Sequence, residues 1–321
     1  MRLSIQVSNR FVDKNNSRLI RVHSRLKKTM ITCELEFDAK AKLGEGPCWD
    51  ARNGLLYWVD IERFELHTYN PATKTDRAIN VGQHIGAAVV RKSGGLLLAL
   101  REGFFHLDPN TEQLTPLIDP ESECLENRFN DGKCDPAGRF WAGTMHLPET
   151  EMKRGHLYCL DTDLSVQRRV DDISISNGLA WSADEKTMYF IDSPTRQCVA
   201  FDYDKATGDI SNRRVAFEIP EGAGWPDGMT IDAEGMLWIA QWDGWRVARY
   251  NPHNSALLDE IHLPVARPTS AVFGGENLDT LYITSASTRL PAEALDAQPL
   301  AGGIFKAKPG VRGTATMEFL G

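Results

Sequence analysis

Nowhere in its 321 residues does this chain hold an apolar run long enough to cross a bilayer, which removes the class of proteins that span membranes with helices. Cysteine is scarce and scattered. The six residues Cys33, Cys48, Cys124, Cys134, Cys159 and Cys198 include no Cys-x-x-Cys pair, so neither a disulfide scaffold, a zinc knuckle nor a thioredoxin-type motif is indicated. Four of them, Cys48, Cys134, Cys159 and Cys198, fall in strand-like segments and read as small buried thiols of a reducing, cytoplasmic protein. Long helical periodicity is missing, and no Gly-x-Ser-x-Gly elbow accompanies a plausible triad, which disfavours covalent catalysis by serine. Acids are nearly absent from residues 1–29, where Asp13 stands against eight Lys/Arg; that net +7 leaves −15 for residues 30–321 of a total of −8. A basic, acid-poor start suits a transit peptide, a nucleic-acid arm or translated upstream sequence ahead of a start at Met30. The last reading is preferred, with a mobile arm next, and the fold is assigned to 30–321. An acidic body argues against nucleic acid or an anionic membrane as a partner.

What the chain does have is a repeat in six copies. Its second segments read GLLYWVD at Gly54, GLLLALR at Gly95, GRFWAGT at Gly138, KTMYFID at Lys186, GMLWIAQ at Gly235 and DTLYITS at Asp279. These align Tyr57, Leu98, Trp141, Tyr189, Trp238 and Tyr282, roughly 40 to 50 residues apart as propeller blades are. Upstream of each stands a shorter signal: Glu45-Gly46, Ile85-Gly86, Asp131-Gly132, Asn177-Gly178, Asp227-Gly228 and Thr269-Ser270. Turn signals such as Asn53-Gly54, Gly94-Gly95 and Asn70-Pro71 separate the segments. The pattern predicts an all-β, six-bladed β-propeller, with TCELEFD from Thr32 closing the ring beside GIFKAKP from Gly303.

The innermost strands of a propeller line one channel, which makes Glu45, Asp131, Asn177 and Asp227 neighbours on its axis. Carboxylates crowded there repel one another and lose hydration unless a cation joins them, so the repeat predicts a central metal site. The same x-Gly pattern also suits a plain turn with polar residues facing solvent. Two stretches break the spacing and are expected at the channel mouth: Met145 to Arg154, and Leu290 to Ala301. Trp58, Trp141, Trp238 and Trp242 read as blade-to-blade packing, and Trp225 and Trp245 as loop residues at the entrance.

Five stretches, LGEGPCWD from Leu43, RFNDGKCDPAGRFWAGTM from Arg128, ISNGLAWS from Ile175, FDYDKATGDISNRR from Phe201 and PDGMTIDAEGMLWIA from Pro226, closely resemble the family of regucalcin (senescence marker protein), gluconolactonases and luciferin-regenerating enzymes. The resemblance implies one divalent cation, Ca2+ or Zn2+ first and Mg2+ or Mn2+ next, held by Glu45, Asn177 and Asp227. It further implies that Arg128 and Asn130 hydrogen-bond sugar hydroxyls, that Asp227 doubles as general base, and that Asp131 supports or faces substrate. The chain departs from regucalcin after AGTM. It reads His146-Leu147-Pro148-Glu149, aligning Pro148 with an acidic substrate contact and leaving Glu149 next door, so its sugar preference is its own.

Lactone hydrolysis needs a Lewis acid on the carbonyl, a delivered water and donors that fix the ring. The leading expectation is therefore a metal-dependent sugar lactone hydrolase of carbohydrate metabolism, acting on a small sugar lactone as a monomer or weak homodimer. Two others stand beside it: a calcium-binding regulatory protein without significant turnover, and a propeller serving as an interaction platform.

Overall fold

The computed structural model describes residues 31–321; the expectation for residues 1–29 lies outside them. Twenty-four strands form six four-stranded antiparallel sheets, each built from consecutive strands except the last. The innermost strands, one per blade, are Gly44–Asp50, Ile85–Val90, Asn127–Cys134, Ser176–Trp181, Trp225–Ile231 and Pro268–Gly274, and each touches the innermost strand of the next blade round the ring. Nearly all of their residues are buried, whereas outer strands such as Thr75–Asn80 and Ile210–Glu218 alternate toward water.

Ring closure follows the alternation in TCELEFD. Cys33–Phe37 pairs antiparallel with Ile304–Ala307, Cys33 opposite Ala307 and Leu35 opposite Phe305, so a strand from before the first blade completes the sixth. Between blades the packing is aromatic. Trp58, Trp141 and Trp238 are fully buried, and the indole N–H groups of Trp141 and Trp238 donate to Asp135 and Asp232 at 2.9 and 3.0 Å. Each of those carboxylates also accepts backbone N–H groups from the turn that follows it, tying the turn to the blade core.

One irregularity recurs in all six blades. The pairing of innermost with second strand slips beside Glu45, Ile85, Phe129, Asn177, Pro226 and Pro268, next to each upstream signal. A bulge re-aims the side chains flanking it and sharpens the local twist. The adjoining glycine lets neighbouring innermost strands approach: a methyl group at Gly86 would lie 2.3 Å from the carbonyl oxygen of Asn130, and one at Gly228 2.1 Å from the hydroxyl of Ser270. The x-Gly signal is therefore more than a turn facing solvent. The expected mouth stretches divide: Met145, Glu149 and Met152 reach the channel mouth. Leu290 to Ala301 does not line it; it contains the short helix Ala292–Ala297 and packs on blade six, with Leu290 and Leu300 against the core and Gln298 accepting the Ala266 N–H at 2.6 Å.

Candidate active site

Glu45, Asn177 and Asp227 come from the innermost strands of blades one, four and five and line one pocket of about 430 Å3, together with Arg128 and Asn130 of blade three. All five side chains are at most 6% exposed. Glu45 and Asp227 share a hydrogen bond, and Glu45 also accepts the Gly46 N–H at 3.0 Å. Burial, then the charge of Asp131, pushes the Glu45 carboxyl up to about 8. Burial, Glu45 and Asp131 together hold Asp227 well above the carboxylate range. Two acids thus sit where each resists ionising, which favours whatever cation relieves them.

A chain of donors sets the amides. Arg128 donates to Asn130 Oδ1 at 2.6 Å and to the Phe129 carbonyl at 3.0 Å. Asn130 Nδ2 donates to the Ser176 carbonyl at 2.7 Å and to Asn177 Oδ1 at 3.1 Å. Asn177 Nδ2 then donates to Ser193 Oγ at 2.8 Å, and Ser193 passes its own proton to the Pro226 carbonyl at 2.6 Å. Each step has one allowed direction, because a guanidinium only donates and a carbonyl only accepts. Asn177 therefore points its oxygen at Asn130 and its nitrogen at Ser193. Asn130 spends both amide ends on protein groups, holding Asn177 as well as facing the pocket. Arg128 keeps its charge at neutral pH although burial lowers it to about 10.

Two carboxylates and an amide oxygen fit a hard or borderline divalent cation. Among the described residues no group of three His, Cys, Asp or Glu side chains is arranged to hold a metal, so a cation at this place would need a ligand beyond the two acids, and the Asn177 amide is within the same pocket. Asp131 is close enough to raise both acids through its charge, as a neighbour on the axis, but it does not line their pocket. It faces a second cavity of about 230 Å3 with Lys133, Thr230 and Ser270, accepts the Gly132 N–H at 2.8 Å, and acts on Glu45 and Asp227 only through its charge. The bulge beside Phe129 explains the split, since it sends Asn130 to one side and Asp131 to the other.

Glu149 lines the mouth but is engaged: its carboxylate grips Arg289 at 2.7 and 2.5 Å, bridging the loop of blade three to the segment just before the helix of blade six. Asn127 anchors the base of the blade-three loop, donating at 2.8 Å to both Glu121 and the Arg154 carbonyl. Trp242 also corrects the sequence reading. It lines the pocket instead of packing between blades, whereas Trp245 is 43% exposed and stands outside the pocket. Arg267 and Arg289 stand outside the aligned segments, whereas Ser193 and Trp242 each follow an aligned position by four residues, as Met145 does, a signal that could have marked them as pocket residues.

A profile of the SMP-30/gluconolactonase/LRE-like region matches residues 43–287. The chain is 39% identical over 287 residues to the Bacillus subtilis protein bearing the name "Putative sugar lactone lactonase YvrE", covering 89% of this chain and 98% of that one. It is 41% identical over 285 residues to regucalcin of Xenopus laevis, covering 87% of this chain and 95% of the other. A crystal structure described as a calcium-binding protein, regucalcin, from Agrobacterium tumefaciens superposes with a TM-score of 0.86 at 28% identity, over 91% of this chain and 99% of that one.

Proposed function

The chain belongs to the SMP-30/gluconolactonase/LRE-like family, and from that premise we propose that it hydrolyses a sugar lactone with one divalent cation held by Glu45, Asn177 and Asp227. The observation that carries this reading is the buried Glu45–Asp227 pair sharing one pocket with the Asn177 amide and a charged Arg128. When bound, the cation supplies Lewis acidity toward the lactone carbonyl and offsets the repulsion of the two acids.

The protein's own groups do the rest. Arg128 presents guanidinium donors at fixed angles to ring hydroxyls, which hold the carbonyl carbon over Asp227. Asp227 accepts a proton as a water adds to that carbon. The ring C–O bond then breaks, the proton passes to the departing ring oxygen, and the product is the open hydroxy acid. Asp227 must be ionised to accept this proton, and a bound cation would offset the burial and neighbouring charges that otherwise hold it protonated. Glu149 and Arg289 shape the mouth through which the lactone enters.

A calcium-binding protein without turnover is the second reading, favoured by the description of the Agrobacterium relative. The experiment that separates the two is a panel of aldonolactones assayed after chelation and re-addition of single metals. Turnover restored by a divalent cation supports the hydrolase. Stoichiometric cation binding with no turnover of any lactone puts the second reading in its place.

A further inference from the structure

Trp225 opens the innermost strand of blade five directly across from Trp242 on the second strand, and both indoles line the pocket mouth. Trp225 is 41% exposed, and the Arg196 guanidinium lies over its ring, 3.8 Å from the centroid. Arg196 is not among the pocket-lining residues; it donates to the Gly224 carbonyl at 2.9 Å, so it backs the indole from outside the pocket. Trp242 carries Arg267 at 4.6 Å from its ring, and Arg267 is pinned in turn by Asp243 at 2.7 Å and by the Thr288 carbonyl. Two large rings are thus fixed at the water boundary by cation–π contacts rather than by burial in a core. A fixed apolar surface rimmed by polar groups is the signature of a recognition site.

Its distance from the chemistry is set by the strand. Trp225 lies two residues before Asp227, so at most about 7 Å of backbone separates them, and both line the same pocket. A lactone held at Asp227 and Arg128 leaves the indole to whatever the substrate carries one ring further out. An apolar tail there would strip water from Arg267, Thr288 and the Glu149–Arg289 pair without replacing its hydrogen bonds. A saccharide does otherwise, offering a C–H face to the indole and hydroxyl edges to those groups.

We infer that Trp225, backed by Arg196 and flanked by Trp242 and Arg267, is a second subsite for a saccharide unit attached to the lactone, so that the substrate class includes lactones of disaccharide acids. This rests on the hydrolase reading. The test measures kcat/KM for cellobiono- and lactobiono-1,5-lactone against glucono-1,5-lactone in the parent, Trp225→Ala, Trp225→Tyr and Arg196→Ala. One aromatic contact is expected to favour the disaccharide lactones about three- to tenfold in the parent. That preference should vanish through KM in Trp225→Ala, fall in Arg196→Ala and return in Trp225→Tyr. A parent without the preference, or a Trp225→Ala variant that keeps it, overturns the subsite. Should no lactone turn over, the hydrolase reading falls while the subsite is still decided by titrating tryptophan fluorescence with lactobionate and gluconate. Tighter lactobionate binding that is lost in Trp225→Ala sustains it, and equal binding of the two acids sinks it.

Discussion

Asp227 is asked to do two things, to ligate a cation and to take a proton, and Asp227→Asn separates them because it keeps an oxygen of the same reach while removing charge and basicity. Turnover at saturating metal is expected to drop by about 10² to 10⁴, while the melting temperature holds or rises, since one of two mutually repelling buried acids has gone. Turnover that survives once the metal is saturating would place the base elsewhere, with Glu45 next. Ser193 gives a subtler case. Its hydroxyl accepts from Asn177 and fixes which way the amide faces, leaving the amide oxygen on Asn130. Ser193→Ala should weaken divalent-cation affinity by about 10- to 100-fold, as loss of a partner behind a ligand does. Calorimetric titration of the metal-free protein checks this, and an unchanged affinity would show that the amide needs no such support.

At the scale of the element, the loop Met145 to Arg154 is tied down at its base by Asn127 and across the mouth by the Glu149–Arg289 pair. Half of that pair lies in water, the Arg289 side chain being 55% exposed, so breaking it should change stability by less than about 1 kcal/mol. Glu149→Gln is expected instead to shift the ranking of lactones by kcat/KM while leaving metal affinity alone; a uniform effect on every lactone would deny the loop a part in selectivity. The bulged innermost strands behave oppositely. Gly228→Ala would push a methyl into Ser270, and urea unfolding should register about 1–3 kcal/mol of destabilisation.

Taken as a whole, the ring concentrates unfavourable charge at its centre, and pH exposes the consequence. Glu45 is raised from an ordinary 4.5 to about 8. A carboxyl raised on folding contributes stability that is complete below its unfolded value and lost as pH climbs through the folded one. Without metal, the melting temperature should therefore decline from about pH 5 to about pH 8, and a divalent cation should raise it more at the upper end of that range. Scanning calorimetry of chelated and reloaded protein tests the sign; a metal-free protein that gained stability over this range would contradict the charged-centre account.

The six-fold period, the all-β character and the closing strand at Cys33 were readable in the sequence, because each blade repeats the same local alternation and turn chemistry. That Glu45, Asn177 and Asp227 would share one pocket was readable too, since repeat-equivalent positions in a closed ring face one axis. What lies off the repeat was not. The sequence could not say that Asp131 faces the second cavity, because a bulge, not the alternation of a regular strand, decides the direction of a side chain beside it. Nor could it mark Arg267 or Arg289, which meet the site from outside the aligned segments. Local pattern determined the blades and the ring they close. The orientation of the amides and the partner of Glu149 were decided only when the sheets came together, because those contacts join residues of different blades.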